Sequence, residues 1–186
     1  WGIDTPAIPY LGYGQAAELS MHGTPVIHPA TVFPLIEEGI PIEIKNFHNR
    51  DSTVSTIIGP DIATDEVVAI GCQPGVAMIT NDKPLSSDLL MEIERLGITP
   101  WLMKSTPEGF KIILPKHDLH HLENIIPGKI EFKTAIISIL GMADIGIEHE
   151  LVSTNEYGTR IIVETDQLHE TIRELYHSLF SRQDCK

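Results

Sequence analysis

The sequence predicts an α+β chain: antiparallel sheet with helices on one face, preceded by the end of a different domain. Three observations predict it. Gly97-Ile98 recurs 49 residues on as Gly146-Ile147, and at that offset Leu102, Gly109, Ile112-Ile113 and Leu119-His120 recur as Leu151, Gly158, Ile161-Ile162 and Leu168-His169. Each copy reads strand, turn, strand, helix, the mark of one unit used twice. Short apolar strands alternate with amphipathic helices, which is a layered α+β pattern. The opening third offers two short helices and two strands, too little to bury a core of its own.

The elements follow in order. Trp1–Tyr13, with Pro6 and Pro9, reads as extended or irregular. Gln15–His22 has helix-forming composition and Gly23 is a natural stop. His28-Pro29 opens a second short helix, since Pro fits the first turn; Pro34 inside it is a local conflict. Ile40–Lys45 alternates as a half-buried strand, and Val54–Ile58 is another. Pro60–Glu66 is an acidic linker. Val67–Gly71 and Val76–Thr80 read as two strands separated by Gln73-Pro74-Gly75. Leu85–Leu96 is amphipathic, with Leu89, Ile93 and Leu96 on one face, a Ser86 or Ser87 cap and a Gly97 stop. Ile98–Lys104 and Phe110–Leu114 are strands around a Pro107/Gly109 turn; Asp118–Ile126 is a helix with Leu119, Leu122 and Ile126 inward. Thr134–Leu140 is a strand, and Ile147–Ser153 with Thr159–Glu164 form a hairpin around Tyr157-Gly158. Asp166 caps a last helix striped by Leu168, Ile172, Leu175 and Leu179. The second copy has only Gly141–Ile145 where the first has a full helix, so two βαββα-type units are expected, the second lacking its first helix.

Composition excludes some functions. The 186 residues carry a formal charge of −13, which argues against nucleic-acid or anionic-membrane partners. Hydrophobic content is 42% with mean hydropathy +0.02, as in a globular chain with a core. No apolar run reaches the roughly 18–20 residues of a membrane helix. The chain opens on Trp1 with no charged-then-apolar leader, so a processed product or a piece of a longer chain is expected. Two distant cysteines, Cys72 and Cys185, make no disulfide framework, and a reducing cytoplasm is the default location.

The stretch Tyr13–Asn49, YGQAAELSMHGTPVIHPATVFPLIEEGIPIEIKNFHN, resembles the end of the catalytic domain of aspartate kinases. Ala16-Ala17-Glu18-Leu19, Gly23, Val26-Ile27-His28-Pro29, Pro34, Ile40-Pro41-Ile42 and Lys45-Asn46 fall in the family's order and spacing, and Pro34 becomes a family habit. The rest looks like the tandem ACT domains that follow: βαββαβ, ferredoxin-like modules that bind amino acids as feedback signals. The resemblance implies a division into 1–62, the end of an amino-acid kinase domain, and 63–186, a tandem ACT region. Its first unit would span about 75–127, its second about 67–72 plus 130–181. It also implies a homodimer or larger homo-oligomer and an effector such as lysine or threonine. ATP and magnesium serve the parent reaction, phosphorylation of L-aspartate on the path to lysine, threonine and methionine; this chain itself is expected to hold no cofactor. The family's Lys-Phe-Gly-Gly-Thr-type phosphate motif is absent, Pro25 replaces a lysine expected near nucleotide, and Trp101 stands where an acidic residue is common. Without a phosphate cradle the chain alone is expected not to catalyse phosphoryl transfer.

The strongest candidate effector site is the loop at Asn81, Asp82, Lys83, Leu85, Ser86 and Ser87, closed by Ile98, Thr99 and Trp101. It leads into the N-terminus of a capped helix, whose free N–H groups suit a carboxylate, with Asp82 available to an ammonium group. The plainer interpretation is an ordinary strand-to-helix loop whose serines only cap, and Trp101 could fill the pocket so that the module only assembles. His117, His120 and His121 suggest metal, with His117 and His121 one turn apart, but no second cluster completes a site and solvent-facing histidines are expected. Glu18, His28 and Lys45 suit an acid, a base and a cation; the plainer roles are helix surface, turn anchor and strand end. Gly12-Tyr13-Gly14 is too little for a phosphate loop. Cys72 is expected to be a small buried apolar residue after a strand.

Overall fold

A computed structural model describes residues 5, 7–21, 27–48, 54–62, 66–122, 125–141 and 150–180. The Gly141–Ile145 connection, the Gly23 stop and Pro25 fall at least partly outside the described residues. The chain forms two compact units, one of Trp1–Gln73, Ile136–Ile162 and Gln167–Lys186, the other of Pro74–Ala135 and Val163–Asp166.

In the first unit the opening third forms a three-stranded sheet with two helices. Strand β1 (Tyr10–Gly12), within the stretch read as extended or irregular, pairs in parallel with β3 (Ser55–Gly59). Strand β2 (Ile42–Lys45) lies antiparallel on the other side of β3, pairing Ile42 with Ile58 and Lys45 with Ser55. Its alternation puts Ile42 and Ile44 half inside and Glu43 and Lys45 outside. Helices α1 (Tyr13–Met21) and α2 (Pro29–Ile36) cover the sheet: Leu11, Tyr13, Ala16, Val32 and Ile58 form one buried cluster. Pro29 opens α2 and Pro34 lies inside it.

The second unit has the predicted strand-helix-strand-strand-helix order. Strand β4 (Ala69–Asn81) leads to α3 (Ser87–Arg95), then β5 (Leu102–Thr106), β6 (Gly109–Leu114), a 3₁₀ turn (Lys116–Asp118) and α4 (Leu119–Leu122). Alternate residues Ala77 and Ile79 of β4, and Phe110, Ile112 and Leu114 of β6, share a core with Leu89 and Ile93 of α3 and Leu119 and Leu122 of α4. The period-two and period-3.6 stripes therefore meet, with helices on one face of the sheet. Three expectations change. Val67–Gly71 and Val76–Thr80 are one strand, because Gly75 takes a positive φ of 66° and absorbs the kink without ending it. Ile98–Trp101 is not strand: Pro100 delays β5 until Leu102. The helix expected over Asp118–Ile126 is a 3₁₀ turn and one α turn, though Leu119, Leu122 and Ile126 are buried as read.

Strand β7 (Lys129–Leu140), hairpin strands β8 (Glu150–Asn155) and β9 (Gly158–Glu164), and helix α5 (Leu168–Phe180) are the remaining elements among the described residues. The larger sheet runs β5-β6-β4-β7-β9-β8. The Asn155 side-chain oxygen accepts from the N–H groups of Tyr157 and Gly158, both at 3.0 Å, which fixes the hairpin turn. In α5, Leu168, Thr171, Ile172 and Leu175 are buried, so the stripe stands, while Leu179 is only half-buried.

Candidate effector site

The loop after β4 is built by its own backbone. Asn81 accepts from the Lys83 N–H at 2.8 Å and donates through Nδ2 to the Pro127 carbonyl at 2.8 Å. Its side chain is thus spent on shaping the loop and anchoring it. The Leu85 N–H donates to Ser105 Oγ at 2.9 Å, tying the loop to β5. Ser86 is the N-cap: extended at φ −80°, ψ 153°, its Oγ accepts from the Leu89 N–H at 3.2 Å. The N–H groups of Ser87 and Asp88 precede any carbonyl the helix can offer and face outward at the positive dipole end.

Asp82, Lys83, Ser86, Ser87 and Thr99 are exposed, Leu85 and Trp101 half-buried, Ile98 buried. At its other end α3 closes with two reversed bonds, Ile98 N–H to the Ile93 carbonyl at 3.2 Å and Gly97 N–H to the Glu94 carbonyl at 2.9 Å. That geometry needs a left-handed residue, and Gly97 has φ 67°. It buries Ile98 in the core with Ile93, which makes Ile98 a packing residue. The Trp101 N–H donates to the Ile113 carbonyl at 2.8 Å. Asp88, whose N–H belongs to this helix start, also brings a carboxylate to the first turn of α3.

The other candidates separate. Glu18 is buried, not on a helix surface, and pairs with Arg160. His28 is exposed before α2, and Lys45 pairs with Glu43 at 3.1 Å, which holds the Glu43 carboxyl below its usual range, first through a hydrogen bond from Lys45. His120 contacts the His117 carbonyl and its ring lies tilted against that of His121, and His117 lies 3.6 Å from Asp118. No group of three metal-ligating side chains occurs among the described residues. Cys72 lies inside β4, not after a strand, and is half-buried; burial pushes its thiol pKa up, away from reactivity. An open cavity of about 380 Å³ lies beside β2 and β3, lined by Ala7, Ile44, Lys45, Asn46, Val54, Ser55 and Thr56. No described helix is long and apolar enough to cross a membrane.

No protein-family model matches the chain. Aspartokinase 3 of Arabidopsis thaliana chloroplasts is 22% identical over 218 aligned positions, covering 96% of this chain, and aspartokinase 1 of the same plant is 43% identical over 157, covering 72%. The chain is an aspartokinase homologue. It spans 39% and 27% of those relatives' lengths, which fits a C-terminal portion of an aspartokinase. E. coli aspartokinase III, solved with aspartate and ADP, matches with TM-score 0.74 at 15% identity, over 93% of this chain and 47% of that one. The same protein solved with lysine and aspartate matches with TM-score 0.68 at 16% identity. The fold is thus the aspartokinase one, and the strand-helix-strand-strand-helix unit is its ferredoxin-like ACT architecture.

Proposed function

We propose that this chain is the regulatory portion of an aspartokinase, which senses an end-product amino acid and dimerises. In this proposal residues 1–62 end a kinase domain and 63–186 are the ACT region. The parent reaction is ATP- and magnesium-dependent phosphorylation of L-aspartate, in the cytoplasm. The observation that carries it is aspartokinase likeness along nearly the whole chain, with E. coli aspartokinase III itself solved in complex with lysine. The loop geometry supports it. Outward N–H groups of Ser87 and Asp88 favour a carboxylate, while exposed Asp82 and Asp88 would repel a plain anion. Both demands are met by a zwitterion, whose ammonium group pairs with a carboxylate as its own carboxylate meets the helix end. Calorimetric titration with lysine, threonine and acetate tests this. Binding of one amino acid and none of acetate is expected. Heat from none of them favours the second reading, an assembly module whose half-buried Trp101 has closed the pocket.

A further inference from the structure

Within the first unit, three segments far apart in sequence meet at helix α1. The Arg160 guanidinium on β9 reaches Glu18 on α1 through Nε and Nη2, and donates through Nη1 to Ser153 Oγ of β8 at 3.2 Å. The side chains are 14% and 7% exposed, so both charges have left water. Parting such a pair is costly, because each charge then stays buried without this counter-charge. One turn earlier on α1, Gly14 lies directly under the Tyr157 ring, so that a Cβ at that position would run into it. The Gly14 N–H donates to Asp61 Oδ1 at 2.9 Å. A hydrogen bond with Glu156, then burial, then the charges of Asp61, Glu156 and Glu18 hold the Tyr157 hydroxyl above its usual pKa, so it stays neutral in this acidic setting.

We propose that the Glu18–Arg160 pair, with Tyr157 laid over Gly14, is a conformational clamp through which the β8–β9 hairpin sets the order of helix α1. The hairpin belongs to the ACT-like part and α1 to the kinase-like part, so a displacement of one is felt by the other. The clamp's regulatory use rests on the amino-acid sensing proposed above; its existence does not. Arg160 is a positioning residue, acting through α1.

Hydrogen exchange on the intact chain tests both parts. Without ligand, Arg160→Met, Glu18→Gln and Gly14→Ala are each expected to speed exchange of residues 13–21, the two charge variants on the order of a hundredfold, leaving β6 protected. The double variant Glu18→Met/Arg160→Met, with no stranded charge, is expected to recover much of the protection, and it keeps the test valid if a single variant fails to fold. Unchanged α1 exchange in the single variants, or equal acceleration in β6, overturns the clamp. With L-lysine added, exchange of α1 should change in the wild type and not in Arg160→Met. Lysine that binds by calorimetry yet leaves α1 unmoved overturns the regulatory use alone. If lysine and threonine both fail to bind, the sensing function falls, and the ligand-free exchange still judges the clamp.

Discussion

Ser86 shows how much one side chain decides. Its Oγ takes an N–H that α3 cannot satisfy internally. Ser86→Ala is expected to lower stability by about 1 kcal/mol and Ser86→Gly by only a few tenths, read from urea denaturation midpoints. Gly97→Ala forces a Cβ into a left-handed conformation and should cost about 1 kcal/mol or more in the same assay. In the proposed site, Asp82 is the expected partner of the ligand's ammonium group. Asp82→Ala should weaken amino-acid binding by about 1–3 kcal/mol, since it leaves an ammonium group desolvated and unpaired. An unchanged affinity in calorimetry would show that the site lies elsewhere. Glu18 marks the limit of residue-level reading. A glutamate on a short helix looks like surface, and its partner Arg160 is 142 positions away, so nothing local announces that it is buried.

Elements were legible where independent signals agreed. Helix α3 has a cap, an apolar stripe at Leu89 and Ile93, and a glycine stop, all within one window, and it forms where those signals put it. Strand β4 was not, because Pro74-Gly75 carries the same local chemistry in a turn and in a kinked strand, and pairing of Ala77–Asn81 with β6 settles which. The loop of the candidate site followed from its serines, but the use of Asn81 depends on Pro127, which a linear reading cannot bring close. The energetic weight lies on the shared face. Ile112 on β6 is fully buried in the core with α3 and α4, so Ile112→Ala should destabilise by roughly 2–5 kcal/mol. Met103 on β5, 44% exposed, should tolerate Ala within about 0.5 kcal/mol. Equal losses in thermal or urea unfolding would mean that β5 is covered in solution.

At the scale of the whole molecule, self-association is expected from the sheet's two ends and is opposed by the chain's charge. Among the described residues, the order β5-β6-β4-β7-β9-β8 leaves β5 and β8 with a neighbour on one side only. A one-sided strand presents unpaired backbone groups, which invites pairing with another chain unless something blunts it. On β5, Met103, Lys104 and Ser105 are exposed; Lys104 works against a partner strand, but no proline interrupts the edge. A symmetric dimer satisfies that edge by pairing it with its own copy. Charge opposes this: each chain brings −13, and two such bodies repel across a distance set by salt. Backbone pairing and apolar burial are short-ranged and barely screened, whereas the repulsion weakens as salt rises. A dimer of twice the 20.6 kDa chain mass is therefore expected at tens of micromolar, an order-of-magnitude concentration, and it should tighten from roughly 0.05 M to 0.5 M salt. Sedimentation equilibrium at both salts reads this directly. A monomer at both rejects the dimer. A dimer that loosens with salt shows that opposite charges, and not a sheet edge, hold it together.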